Sequence, residues 1–487
     1  MLLRIPCASP HTAFGGRSLE VPWIHVAGRA PYFVDDDGLP WTPVGQNDGI
    51  TWHDLKGIFR RRDLASVERY LQNLVEHGVT CLRLMLEYSQ TSHRYIERTV
   101  GTFWPDMVHL WDDMFALCRK WGLRILLTPF DTYWMWTRWK KHPYYTGNGG
   151  PCKSRREFLL CKDTRRAIKD RLAFATERWG RGGTLFAWDL WNELHPSWTG
   201  DSADGLADFV EEMSTHLSMV EKRLHGAAHL QTVSVFTPAF ELDTRLSEIV
   251  YRHPCLDFAN IHLYEEGTID YPTNTLDAAV STGNLVAAAI SEIRDGRPFF
   301  DSEHGPIHSF KDHHKNLAEA FDDEYFRHIQ WAHLASGGAG GGMRWPNRRP
   351  HSLTQGMRKA QKAMVDFLPL IDWPIFQRVN RNKEVSVSHP GVHCFACGGE
   401  KQAVIYLLRN DTVQRNGMLD PCAAPISPQI VIHALAAGRY KVTFWDTKHG
   451  IAEQTESISH FGQSSLSIQL PPFTTDLALA VVSDPRP

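Results

Sequence analysis

No run of about 18 or more apolar residues occurs anywhere in the chain, so the sequence offers no membrane-spanning helix. The N-terminal stretch MLLRIPCASPH is too short in apolar residues to be the core of a secretion signal. An intracellular protein is therefore the default expectation, although a secreted protein whose leader had been removed would read the same. Cysteine is sparse: nine residues, scattered and odd in number, make no disulfide framework. The lone Cys394-Phe-Ala-Cys397 has no second pair and no histidine pair at zinc spacing, and reads as two incidental thiols on a strand. Charge of one sign is also missing. A formal net charge of -3 over 487 residues creates no field that would draw in nucleic acid or an anionic membrane. Nor is there a phosphate-binding glycine turn, because Gly337-Gly-Ala-Gly-Gly-Gly342 precedes a strand-like run and does not open a helix. No segment is of low complexity.

What the chain has in quantity is tryptophan and histidine, 17 and 25 residues. Tryptophan is awkward to bury whole and suits sites with one apolar and one polar side, as a sugar ring has. The stretch Thr184–Trp198, TLFAWDLWNELHPSW, concentrates the pattern. Leu185 to Trp188 has the length and apolarity of a fully buried strand. Beyond it come Asp189, Asn192, Glu193 and His195 among Trp188, Trp191 and Trp198, polar groups that a buried strand does not need. A strand apolar along its body and polar at its carboxyl end is how an α/β barrel presents chemistry.

Strand-like and helix-like segments alternate over most of the chain. A hairpin is expected at 31–42, around Asp37-Gly38. Strands are expected at 43–47, ending in Asn47, and at 79–86, carrying Arg83 and delivering Glu87. Others fall at 123–129, from Thr184, and at 231–237, 256–264, 298–303 and 341–345. Helices are expected between them, at 64–77, 105–121, 164–179, 204–225, 243–251, 275–294, 315–336 and 357–370. Asp63 is placed to cap the first, while Gly78, Gly122 and Gly180 stop three of them. The stretch Phe130–Trp136 reads as an aromatic loop, and residues 1–30 as irregular. Eight strand-then-helix units argue for a parallel sheet closed into a (β/α)8 TIM barrel. After about residue 372 the helices stop. Short apolar runs at 403–409, 429–435, 440–445 and 477–482 read as an antiparallel β-sandwich. The expected domains are thus residues 1–372, a barrel with an irregular extension, and 373–487, an accessory sandwich.

Pro298-Phe-Phe-Asp-Ser-Glu303 is a second apolar strand with a carboxylate at its end. Two carboxylates on one barrel rim can flank a glycosidic bond, one protonating the leaving oxygen while the other attacks the anomeric carbon or directs a water. Trp134, Trp136 and Trp198 lie in loops at the same rim, where they are candidates to stack on sugars.

Trp191-Asn192-Glu193 ending the fourth strand, and Glu303 ending the seventh, resemble the retaining glycoside hydrolases of clan A, family 5 and its relatives above all. Arg83 matches an arginine of the second strand, His262-Leu-Tyr264 a His-x-Tyr of the sixth, and Trp345 a tryptophan ending the eighth. His304-Gly305 is a variant of the residues that follow the nucleophile. The resemblance covers about residues 40–370 and implies Glu193 as acid/base and Glu303 as nucleophile, with no cofactor. Arg83 is then expected to hold Glu303 ionised, with Tyr264 donating to it, while Glu193 among tryptophans keeps its proton. Asn192 is expected on the sugar 2-hydroxyl, and His262 on substrate or on Glu193. Carboxylates about 5–5.5 Å apart would mean retention, and a gap beyond about 6.5 Å inversion. Asn47, Glu87 and His304 join the candidate substrate contacts.

The expected substrate is an oligo- or polysaccharide with β-linked manno- or gluco-configured hexoses, cut from an end or in short chains. Galactosides and arabinosides stay open. A non-catalytic carbohydrate-binding barrel is the alternative from another class. A metal-dependent hydrolase using His304, His308, His313 and His314 is a third, though these lie in a loop rather than at helical ligand spacing.

Overall fold

The computed structural model describes residues 20–89, 94–307, 316–433, 435–462 and 465–484. Chain order begins with a small antiparallel sheet, β1 (Ile24–Val26), β2 (Phe33–Asp35) and β3 (Pro40–Trp41). The turn at Asp37-Gly38 is where the sequence places it, but β1 lies in a stretch expected to be irregular.

The centre is parallel. β4 (Gly45–Asn47), β5 (Cys81–Met85), β8 (Arg124–Thr128), β9 (Leu185–Asp189) and β10 (Leu230–Thr232) pair in the order β10-β9-β8-β5-β4, and β11 (Ala259–Leu263) pairs with β12 (Phe299–His304). A two-stranded ribbon, β6 (Glu97–Thr99) and β7 (Thr102–Phe103), lies outside this sheet. Every residue of β5, β8, β9, β11 and β12 is buried, which fits the apolar bodies of β8 and β9, while β5, β11 and β12 also bury polar side chains such as Arg83, Asn260 and Asp301. Single parallel bridges extend the pairing: Phe236 with His262, His304 with Arg344, and Gln46 with Arg344. From β10 the pairing thus passes through 236 to β11 and β12, then through Arg344 back to β4.

Helices fill the crossovers. α1 (Leu64–Glu76) starts on Asp63, whose side chain accepts from Ser66 N at 2.9 Å. α2 (Pro105–Trp121) has proline in its first turn and ends on Gly122 at φ 72°, a left-handed position that costs glycine nothing. α3 (Thr132–Thr137) occupies the stretch expected to be an aromatic loop, because Asp131 caps it by accepting from Trp134 N. α4 (Lys162–Trp179), α5 (Leu206–His225), α6 (Arg245–Arg252), α7 (Thr275–Glu292), α8 (Glu319–Ala335) and α9 (Gln355–Phe367) follow. The strand expected at 341–345 is reduced to the bridges of Arg344. Gly337, Gly340 and Gly342 all have positive φ, which an extended strand cannot use. No helix among the described residues is long and apolar enough to cross a membrane.

Beyond residue 372 the chain is antiparallel. β14 (Val392–Gly398), β15 (Gln402–Arg409), β17 (Gly438–Asp446), β18 (Ile451–His460) and β20 (Asp476–Ser483) form a five-stranded sheet in the order 14-15-20-17-18. β13 (Val385–Val387), β16 (Gln429–Ile432) and β19 (Leu466–Gln469) form a three-stranded one. The two share an apolar cluster that includes Ile405, Leu407, Ile430, Phe444, Ile468 and Leu479. The eight described cysteines, Cys394 and Cys397 among them, are unbridged.

A second cluster joins this region to the helices. Trp331 of α8 stacks on Tyr406 at 6.1 Å, Phe367 of α9 meets Trp445 edge-on at 5.8 Å, and the Trp445 indole donates to Ala363 O. Buried Arg327 pairs with Asp476 at 3.1 Å. A chain ended after Asp372 would uncover these rings and leave Arg327 without Asp476, a loss of several kcal/mol. Such a truncation is expected to aggregate or to unfold well below the full chain, read by thermal unfolding and size exclusion. A soluble truncation of unchanged stability would show the C-terminal sheets to be dispensable.

Candidate active site

The two glutamates meet at the carboxyl ends of the parallel strands. After β9 the chain makes a tight turn in which Leu194 N donates to Ser234 O and Glu193 N to Ser234 Oγ at 3.0 Å. Glu193 sits at φ 54°, a left-handed backbone that an L side chain adopts only where its surroundings impose it. Ser234 Oγ in turn donates to Asp189 Oδ2, so the last residue of β9 helps to hold the turn. Glu303 comes from β12, opposite His262 of β11.

Arg83 ties the site together. Its side chain is wholly buried. One terminal nitrogen donates to Asn47 Oδ1 at 2.9 Å and to Glu303 Oε2 at 3.0 Å. The other donates to Asp189 Oδ2 at 2.8 Å and to Asn192 Oδ1. Tyr264 donates its hydroxyl to Glu303 Oε1 at 2.9 Å. His262 Nδ1 lies 2.9 Å from Glu193 Oε1 and 3.8 Å from Glu303 Oε2. Donor atoms of Glu193, His262 and Glu303 all fall within 4.8 Å of one another. The side chains of the two acids are 28% and 11% exposed, whereas Arg83 and His262 show none of theirs, so the acids face the opening.

Both acids are pushed up from the ordinary carboxylate range. Burial raises Glu193 to about 7, against the pull of Arg83 and His195. For Glu303 the expectation of a lowered value is corrected. Burial and the charge of Glu193 outweigh His262, Arg83 and Tyr264, and the net direction is upward. Arg83 is too divided to win, since Asp189 claims part of the same guanidinium. Hydrogen-bond donors distinguish the two acids. Glu303 receives two hydrogen bonds that stabilise an anion, from Arg83 and Tyr264, while Glu193 has only His262. Burial drives His262 down to about 4, so it is neutral and meets Glu193 as a hydrogen-bonding partner. Glu193, His262 and Glu303 are near enough to share a cation, but Arg83 already places a positive charge 3.0 Å from Glu303.

Several candidate contacts lie elsewhere than expected. Glu87 is fully buried, held by His142 at 2.8 Å and Arg171 at 3.2 Å, and presents nothing to the opening. Trp198 is buried edge-on against Trp191 and Trp136, and so packs the loop. Trp136 is half-buried with the Arg155 guanidinium over its ring at 3.9 Å. His304 is buried against Asp301 Oδ2 at 2.7 Å. Asn47 is also buried and acts as scaffold between Arg83 and Ser302. Asn192 is held by Arg83 and Thr132. Trp134 and Trp345 are half-buried. Trp345 stands edge-on to Trp52 at 5.1 Å, and Trp52 stacks on His351 at 4.7 Å. His308, His313 and His314 lie outside the described residues.

Sequence reasoning named Asp189 in the polar cluster after the apolar run without giving it a role, and missed Ser234, Thr132, Trp52 and Asp301. Asp301 stands two residues before Glu303 on the same strand, whereas Ser234, Thr132 and Trp52 are joined to the site only by folding.

No family model matches the chain, and no curated protein matches it. Among solved structures it is similar to a glycoside hydrolase, with 13% identity, 96% of this chain and 98% of that chain covered, and a TM-score of 0.59. It is also similar to a family 5 glycoside hydrolase from Bacteroides vulgatus ATCC 8482, with 14% identity, coverage of 96% and 94%, and a TM-score of 0.58. The chain shares the fold of these two proteins over nearly its whole length.

Proposed function

We propose that this chain is a retaining β-glycoside hydrolase. Its parallel strands form a closed (β/α)8 barrel within residues 1–372, and residues 373–487 form an accessory β-sandwich. The observation that carries the reading is the pair Glu193 and Glu303. Their carboxylate oxygens come within 4.8 Å, and both anion-stabilising donors point at Glu303. So short a gap leaves no room for a water between acid and sugar, as inversion requires, and favours direct attack.

In the first step Glu303 attacks the anomeric carbon while Glu193 gives its proton to the departing oxygen. This yields a glycosyl ester on Glu303 and a free alcohol. In the second, Glu193, now a carboxylate, takes a proton from water as the water displaces Glu303. Arg83 and Tyr264 hold the attacking oxygens in place before reaction and receive the charge back afterwards. The Asn192 amide gives one N–H to Thr132 and keeps the other for the sugar 2-hydroxyl. Trp345, braced by Trp52, supplies the ring beneath the sugar. No step calls for a cofactor.

The substrate class is β-linked manno- or gluco-configured hexosides. The segment 130–151, folded into α3 and packed through Phe130, Trp139 and Tyr144, closes one side of the opening and favours chain ends or short oligosaccharides. A panel of nitrophenyl β-glycosides, followed by proton NMR of the first sugar released, tests this. Release of the β-anomer is expected. An α-anomer would overturn retention, and a chain that binds these glycosides but hydrolyses none would overturn the catalytic reading.

A further inference from the structure

The pairing of β11 with β12 is out of step at one place. Ile261 faces Asp301, but His262 faces Glu303, so Ser302 has no partner across the ladder. This is a β-bulge, and a bulge leaves backbone groups that must find partners elsewhere. Here side chains take four of them. Ser302 N donates to Asn260 Oδ1 at 3.2 Å, and Ser302 O accepts from Asn47 Nδ2 at 2.8 Å. Glu303 N and Leu263 N, one from each strand, both donate to Asp301 Oδ1, at 3.0 and 3.3 Å. The other oxygen of Asp301 faces His304 Nδ1 at 2.7 Å, and Gly342 makes room for it, since a Cβ there would stand 2.5 Å from that oxygen. Asp301 and Asn260 are completely buried.

Without the extra residue, Ser302 would stand opposite His262, and Glu303 would point to the other side of the strand. We propose that Asp301 and Asn260 are positioning residues whose side chains hold the bulge at Ser302, and that this bulge is what aims Glu303 at His262, Arg83 and Glu193. The inference rests on reading Glu303 as the nucleophile. Asp301 acts through the backbone of the residue two places on and needs no charge to do so. Burial pushes its carboxyl up to about 8, so near neutrality it is a neutral acid that accepts at one oxygen and donates at the other. Asparagine has the same pattern in the same volume.

The test compares Asp301→Ala with Asp301→Asn on a glycoside that the wild type hydrolyses, beside thermal unfolding and a crystal structure of each. For Asp301→Ala, kcat is expected to fall about 100-fold with little change in KM, the cost of an ångström-scale misplacement. Glu303 should leave Arg83 and Tyr264 in that crystal structure. Asp301→Asn should keep most of kcat and the wild-type geometry. If Asp301→Ala does not fold, Asn260→Ala, which removes one acceptor, carries the same readouts. An alanine variant with undiminished kcat, or one whose Glu303 still meets Arg83 and Tyr264, would overturn the proposal. So would an asparagine variant as impaired as alanine. If the wild type hydrolyses no glycoside, the catalytic reading fails alone, and the crystal structures still decide whether these side chains hold the bulge.

Discussion

Replacing Glu303 with alanine is expected to remove turnover by roughly four to six orders of magnitude, the scale on which enzymes lose a covalent nucleophile. The protein should remain folded. Arg83 loses one partner but keeps Asp189 at 2.8 Å and Asn47 at 2.9 Å, so its buried charge is still compensated. Tyr264 loses its acceptor, and the volume left by the carboxylate is large enough for a water to take its place. On the proposed mechanism the vacated space lies beneath the anomeric carbon, where a small anion such as azide or formate would be held by the same two donors. Added azide should therefore restore part of the turnover on a nitrophenyl β-glycoside and give the α-glycosyl azide, since the anion displaces the leaving group once and inverts the centre. Nitrophenol release and NMR of the product measure both effects. Near-wild-type activity in this variant would remove Glu303 from the chemistry. So would a β-azide, which needs a second displacement that the variant lacks.

How much of this arrangement was legible beforehand depends on what each residue type announces. β5, β9 and β12 show as buried runs ending in polar residues, and the acids at two of those ends meet as expected. Helix limits were sharp where chemistry marks them, as at Asp63, Pro105 and Gly122. The sequence was less informative about direction. Glu87 also follows a strand, yet it turns into the interior because Arg171, more than 80 positions along the chain, is waiting for it. Trp198 sits in a rim segment but spends its face on Trp191 and Trp136. A strand end tells where a residue is, not where its side chain goes. The glycines before Arg344 were read as an approach to a regular strand. Gly337, Gly340 and Gly342 have positive φ, and at Gly342 the chain crosses in front of Asp301 without room for a Cβ. The direction of the Glu303 shift failed for a related reason. An arginine nearby is visible in sequence, but its division among four acceptors, and the burial that outweighs it, are properties of the folded site.

The second large effect is expected at Glu193, and it separates proton donation from attack. Glu193 must be protonated to serve as the acid, and burial has pushed it up to about 7. The active form therefore prevails below that pH and is lost as pH rises through it, so hydrolysis of a glycoside with a poor leaving group should fall about tenfold per pH unit on the alkaline side. Glu193→Ala should lower kcat/KM for such a substrate by about 10²–10⁴, the usual contribution of a positioned proton donor. A dinitrophenyl glycoside, whose leaving group departs without a proton, should form the glycosyl ester at close to the wild-type rate. It should then stall, because Glu193 also activates the water of the second step. The signature is a burst of dinitrophenol followed by slow turnover, together with disappearance of the alkaline limb near pH 7 from the burst phase. Azide, which needs no base, should relieve the stall and give the β-glycosyl azide, opposite in configuration to the product expected with Glu303→Ala. An alkaline limb that survives in Glu193→Ala, or a loss that is the same for poor and activated leaving groups, would take the proton away from Glu193.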